Sequence, residues 1–359
     1  MTSSLPLRSI EAQRGSQSSS SLNVSPNSEK RLLEKLQREL GVLILNELNN
    51  PLCEDILLNP DGAVWVKRAR EGFQQIGNMN PGQADAAIGT IAYIRGMVVN
   101  GSNPILETDL PLYGSRFEGL KPPVVKSPAF AIRQRPKSVF TLEDYEQAGI
   151  LTDIHDPDNA HRQSDNFVAQ VQGKSHGEIL RLAAKAHKNL LFVGSTGSGK
   201  TALGNAFLDA IASLTPNDRI IVIEDTPELQ CNVENSVALL SSMTVTMLDC
   251  LRACMRLKPN RIAVGEVRGA EALTLLKAWN TGHPGGFSTV HANDAMAGLV
   301  RLESLVAEAT SAPQQKLIAE AVDVVVFIDG DPTLPAGRKV RELILVIGYE
   351  NGRYEFQRI

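Results

Sequence analysis

The 359-residue chain is short of aromatics, at 5%, holds only four cysteines and six histidines, and has no apolar run near the ~18 residues that a membrane-spanning helix needs. Each shortage excludes something. Few aromatics mean few platforms for stacked bases, and a net charge of −4 offers no electrostatic footprint for nucleic acid, so no direct nucleic-acid binding is expected. The cysteines, Cys53, Cys231, Cys250 and Cys254, form no C-x-x-C pair and show no zinc spacing. Cys250 and Cys254, at i and i+4 on a predicted helix, read as small buried hydrophobes with reduced thiols. The N-terminus lacks a basic stretch followed by an apolar one, so a cytoplasmic chain without a membrane segment is expected.

What remains is ordinary soluble composition, 43% hydrophobic and 21% charged, at a length that suggests two or three domains. Residues 1–28 are Ser-rich and poor in large apolar side chains, so they cannot offset their own ordering entropy and are expected to be disordered. From Glu29, apolar residues at Leu32, Leu33, Leu36, Leu40 and Leu43 carry a helical period. "DILLNPDGAVWVKR" reads as two strands joined by an Asn-Pro-Asp-Gly turn, and "GQADAAIGTIAYIRGMVV" as a second amphipathic helix. Strand-like pieces follow at "PILETDLP", "SRFEGLKPPVV" and "FAIRQR". Residues 29–135 thus form a predicted α+β domain, 136–150 a linker, and 151–359 a second domain.

The second domain declares its chemistry at "NLLFVGSTGSGKTALGNAF". An apolar run, Leu190 to Val193, enters Gly194-Ser195-Thr196-Gly197-Ser198-Gly199-Lys200-Thr201, and a helix-period pattern follows. Strand, glycine loop and helix in that order make a phosphate cradle: backbone N–H groups wrap the phosphate oxygens over a helix N-terminus. Lys200 then reaches the β- and γ-phosphates, and the Thr201 hydroxyl is placed for Mg²⁺. Two further apolar runs end on acids, "RIIVIEDTPELQ" at Glu224 and Asp225 with Glu228 beyond, and "RIAVGEVRG" at Glu266 with Arg268 beyond. In a parallel sheet the strand C-termini line one crevice, so these acids are candidates for orienting the attacking water or for the Mg²⁺ shell, in part through water.

The ordered set of glycine loop, "IEDTPEL", "GEVRGAEAL" and "NTGHPGGFSTVHAND" resembles the secretion-type traffic ATPases of type IV secretion, type II secretion and pilus machines, with the conjugal-transfer branch as the nearest likeness. The likeness covers roughly residues 32–359. "GEVRG" departs from the usual P-loop pattern by carrying Gly265 where an Asp is common. The resemblance implies a RecA-like P-loop ATPase domain behind a smaller α+β domain, ATP as substrate and Mg²⁺ as cofactor. It also implies a homohexameric ring with ATP between the two domains, rocking one against the other. A ring of this kind would work with type IV secretion proteins at the cytoplasmic face of the inner membrane. His283 and His291 are implied as reporters of nucleotide state, and Arg116 and Arg133 as N-terminal-domain arginines that close over the phosphates. Zinc between the histidines would need two more ligands, and none is spaced nearby. A type II secretion or pilus ATPase would bring a four-cysteine insertion and longer N-terminal domains, both missing here. A DNA translocase would want a basic pore. A nucleotide-binding scaffold without turnover is the third alternative.

Overall fold

The computed structural model describes residues 26–69, 71–135, 141–147, 149, 151 and 164–359. The Ser-rich segment therefore lies outside the described residues except at its end, where helix α1 (Pro26–Asn49) already begins. Much of the expected linker also lies outside them, although Leu142–Gln147 form a short helix, α3.

The first domain is a six-stranded antiparallel sheet in the order β3-β2-β1-β6-β5-β4. Its strands are β1 (Cys53–Leu58), β2 (Ala63–Arg68), β3 (Phe73–Asn78), β4 (Ile105–Asp109), β5 (Arg116–Leu120) and β6 (Ala129–Arg133). Side chains alternate across a strand, and here both faces are covered. Ile56, Leu58, Val64, Val66, Phe117, Phe130 and Ile132 face α1 and helix α2 (Pro81–Ile94). Leu57, Ala63, Trp65, Leu120, Ala129 and Ala131 point the other way, into a core shared with the second domain. The same alternation sends Asp55 and Glu118, each nearly fully buried, toward that second domain.

The second domain is an eight-stranded sheet, β14-β13-β12-β7-β11-β10-β8-β9. Six strands run parallel: β7 (Leu190–Val193), β8 (Ile220–Glu224), β9 (Ser236–Leu240), β10 (Arg261–Val264), β11 (Phe287–Val290) and β12 (Val324–Gly330). An antiparallel extension, β13 (Arg338–Glu350) and β14 (Arg353–Arg358), completes one edge. Helices α4 (Ser164–Val171), α5 (His176–Lys185) and α6 (Lys200–Leu214) cover one face of the sheet. On the other face lie α7 (Met247–Cys254), α8 (Glu271–Asn280), α9 (Ala295–Ala307) and α10 (Gln315–Ala321). Cys250 and Cys254 are buried on α7 as free thiols, and burial pushes Cys250 up to about 12.

The contact between the domains is closed by polar groups as well as by core. Arg219, fully buried, donates to Asn59 Oδ1 (2.7 Å) in the first domain and to the Leu257 carbonyl (2.7 Å) and Asn235 in the second. Asn59 Nδ2 donates to Asn235 Oδ1 (3.1 Å), and Leu240 N to the Val124 carbonyl (2.8 Å). Arg256 pairs with Glu107, and Lys258 Nζ lies 3.6 Å from Asp55 Oδ2.

Candidate nucleotide site

Strand β7 ends at Val193 and the chain turns through 194–199 into α6. Gly199 holds φ +100°, a left-handed value open chiefly to glycine, which leaves the first amides of α6 free to face a phosphate. Lys200 is buried, and its Nζ donates to the carbonyls of Gly194 (3.0 Å) and Ser195 (2.9 Å) while standing 3.3 Å from His291 Nδ1. Burial pulls the Lys200 ammonium below its usual range, and nearby Glu266 opposes that shift.

A cavity of about 510 Å³ opens above this loop, at the C-terminal ends of β7, β8, β10 and β11. Lys200, Thr201, Glu224, Asp225, Glu228, Glu266, Arg268 and His291 all line it, as do Thr196, Gly197 and Gly199. Of the remaining loop residues, Ser195 Oγ donates to Asp329 Oδ1 (3.2 Å) on β12, and Ser198 is buried.

The acids divide by what they touch. Glu224 Oε1 accepts from the amides of Glu228 (3.0 Å) and Leu229 (2.9 Å), so this buried carboxylate folds the 225–229 loop. Burial raises its pKa, against those two amide bonds. Asn205 on α6 pins the same loop, through Gln230 N (2.8 Å) and the Glu228 carbonyl (3.2 Å). Glu266 is engaged on both oxygens, by His291 Nε2 (3.2 Å) and by Arg268 Nη2 (2.9 Å), and Arg268 also pairs with Asp225. Glu228 is exposed into the cavity and its carboxylate pairs with no side chain among the described residues.

Three expected site residues are placed elsewhere. His291 follows the C-terminal end of β11, but His283 precedes its N-terminal end, at the opposite end of the strand, where Nδ1 lies 2.7 Å from the Pro259 carbonyl. Four extended residues carry a chain about 13 Å, so a strand lies between the two histidines and only one reaches the crevice. Arg116 and Arg133 are register partners on β5 and β6. They line a second cavity of about 250 Å³ between the domains, with Asp55, Glu118, Arg256 and Lys258, and not the cavity over the glycine loop. The reason is that the first domain packs beside β9 at the sheet edge, while the glycine loop follows β7 well inside the sheet.

Comparison with known proteins bears on this geometry. A family model described as "Type II/IV secretion system protein" matches residues 157–329. The probable conjugal transfer protein TrbB of Sinorhizobium fredii is 41% identical over 330 residues, covering 92% of this chain and 94% of the relative. The chain belongs to this family of secretion ATPases. The type IV secretion system protein PtlH of Bordetella pertussis is 29% identical over 320 residues, covering 83% of this chain and 90% of that one. Among solved structures, the VirB11 ATPase from the Brucella suis type IV secretion system, in complex with sulphate, superposes with a TM-score of 0.80 at 26% identity over 88% of this chain and 96% of that one. The two-domain fold expected from the sequence is the fold of that protein, and the chain is a traffic ATPase of the type IV secretion and conjugation class.

For an ATPase of this family the cavity supplies oxygen donors that suit a magnesium ion arriving with phosphates: the Thr201 hydroxyl and the Glu228 and Glu266 carboxylates. Among the described residues no group of three His, Cys, Asp or Glu side chains could hold a metal ion by itself, and no helix is long and apolar enough to cross a membrane. Two cavity residues carry no local signal in the sequence. Thr289 on β11 and Arg338 at the start of β13 both line it, and Arg338 arrives from 138 positions beyond Lys200 through the β12–β13 pairing.

Proposed function

We propose that the cavity over the glycine loop binds ATP and hydrolyses it by attack of water on the γ-phosphate, inside a closed ring of copies that energises a type IV secretion or conjugation apparatus. The observation that carries this reading is the convergence on one cavity of Lys200, Thr201, Glu228, Glu266 and His291 from four strand ends. The loop and first α6 amides cradle the inner phosphates, and Lys200 Nζ reaches the β- and γ-phosphates. A magnesium ion held by the Thr201 hydroxyl, with Glu266 reached through water, would neutralise charge on the phosphate oxygens. Glu228 orients the water, because its carboxylate is exposed into the cavity with no side-chain partner among the described residues, whereas Glu266 is already shared by His291 and Arg268. Glu266 instead connects Lys200, His291 and Arg268 into one network that responds to the phosphate.

Arg116 and Arg133 fit a role between copies. The first domain shares a continuous core with its own second domain, and Arg219 is buried in that contact. Closing the arginines over their own glycine loop would break this contact, whereas the exposed arginine end of the first domain can meet a nucleotide held by the next copy. Each chain then moves as one body against its neighbour, and the ring docks at the inner membrane through the apparatus proteins, in keeping with the conjugation and secretion relatives.

Mixing two inactive variants tests both points. Lys200→Ala should lose turnover and keep its fold, and Arg133→Ala should be slow. Combined in mixed rings, the intact glycine loop of one beside the intact arginine of the other should restore phosphate release. Mixed rings with no recovery would place the arginines on their own chain's nucleotide, and normal turnover in folded Lys200→Ala would remove the cavity as the catalytic site.

A further inference from the structure

We infer that Arg338, at the first position of β13, is a nucleotide-holding residue that grips the inner phosphates from the side of the sheet opposite Glu266. The inference rests on reading the glycine-loop cavity as the nucleotide site. Its side chain lies against Gly199: a Cβ built there would meet Arg338 Nη1 at 2.5 Å and Cδ at 2.7 Å. It also lines the cavity itself. The tight contact gives Gly199 a second reason to be glycine, besides its positive φ, because any side chain there would displace the guanidinium from the cavity.

The charge balance of the cavity singles this residue out. Its lining carries four carboxylates, Glu224, Asp225, Glu228 and Glu266, against three fixed cations, Lys200, Arg268 and Arg338. A polyanionic ligand entering such a cavity depends on cations that are free to meet it. Arg268 is committed to Asp225 and Glu266. Lys200 already donates to two loop carbonyls. Arg338 forms no ion pair among the described residues, and the one hydrogen bond its guanidinium makes there goes to the Ala336 carbonyl (3.3 Å), inside its own hairpin. A planar guanidinium left in this state presents its remaining N–H groups as a fork for phosphate oxygens.

Position decides which phosphates it reads. The Gly199 and Lys200 backbone cradles the inner phosphates, while Lys200 Nζ, Glu266 and His291 gather on the γ side. A guanidinium resting on Gly199 therefore contacts groups that ATP and ADP share. It holds product as firmly as substrate, unlike a residue that senses the γ-phosphate.

The test measures affinities of the full-length protein for ADP and for a non-hydrolysable ATP analogue. Arg338→Ala should weaken both by the same factor, about tenfold for loss of a charge-assisted contact at an exposed site, with KM for ATP rising in step. Arg338→Lys, which keeps the charge and loses the fork, should recover part of the affinity. Lys200→Ala serves as the reference for the cavity. Lost binding in Lys200→Ala with normal binding in Arg338→Ala overturns the Arg338 assignment and leaves the cavity reading standing. Normal binding in both removes the cavity reading. A loss for the ATP analogue alone, or a loss of kcat with both affinities intact, also overturns the proposal, since it would put the guanidinium on the γ side.

Discussion

Glu228 and Glu266 look alike in sequence, each an acid just beyond an apolar run, and differ only in what holds them. Because Glu228 has no side-chain partner among the described residues and Glu266 is shared by His291 and Arg268, their glutamine variants should fail differently. Glu228→Gln should lower kcat by roughly 10²- to 10⁴-fold with ATP affinity near normal, as expected for a lost proton acceptor. Glu266→Gln should lower kcat and also leave Arg268 with Asp225 as its one ionic partner among the described residues, visible as a changed salt dependence of turnover. A pure affinity loss in either variant would show the acids to be binding groups. A third carboxylate has a prediction of its own. Burial, with Glu107 adding and Arg256 opposing, pushes Glu118 up to about 8 from its ordinary 4.5. Below pH 4.5 the folded and unfolded chains both carry the proton; between there and pH 8 only the unfolded chain ionises, so stability declines as pH rises through that window. Glu118→Gln cannot ionise. Its advantage in thermal unfolding should be small at pH 5 and grow toward pH 8, to on the order of a few kcal/mol. An advantage that does not change with pH would mean that Glu118 is ionised in the fold throughout.

At the scale of elements, the sequence makes legible whatever is local. The Asn-Pro-Asp-Gly turn joins β1 to β2 as its residues require, and the strand, glycine loop and helix from Leu190 to Leu214 follow their apolar pattern. The acids at Glu224 and Glu266 end strands that do lie side by side, β8 against β10. What is not local is not legible. His283 and His291 are close in sequence and stand at opposite ends of β11, a fact that follows from strand polarity and not from spacing. Strand β3, "FQQIGN", is half polar because it closes an edge, so it carries no apolar signal. Arg338 is one arginine among many until β13 pairs with β12 and sets it on the glycine loop. The glycines of "PGGF" read as punctuation but one of them is a packing requirement: a Cβ on Gly286 would fall on the Ile262 carbonyl, which is backbone and cannot yield. Gly286→Ala should therefore force β10 and β11 apart and destabilise by more than ~3 kcal/mol. Thermal unfolding checks this, and a wild-type melting temperature would show that the β10–β11 contact is looser than drawn.

For the whole molecule, the question is which parts move together. The first domain buries one sheet face on its own helices and the other on the second domain. An alternation in which both faces are apolar is the pattern of a sheet inside a three-layer body, and a hinge between the domains would expose Leu57, Trp65 and Leu120 to water. The polar seam points the same way, since separating the domains would leave Arg219 with fewer acceptors for a charge that forms no ion pair among the described residues. The Val124 carbonyl accepts from Leu240 N at 2.8 Å, the one backbone-to-backbone hydrogen bond named above across this contact, which makes the pair the place to try a cross-link. A Val124→Cys, Leu240→Cys pair would then fasten the first domain to its own second domain without touching the cavity. If each chain works as one body against its neighbour, the oxidised double variant should hydrolyse ATP within about twofold of its reduced form, a difference of under about 0.5 kcal/mol in barrier. If the domains of one chain must open and close on each other during turnover, oxidation should stop hydrolysis and reduction should restore it. Phosphate release measured before and after adding reductant separates the two, and a reductant-dependent rescue would return the moving joint to the contact between Arg219 and Asn59.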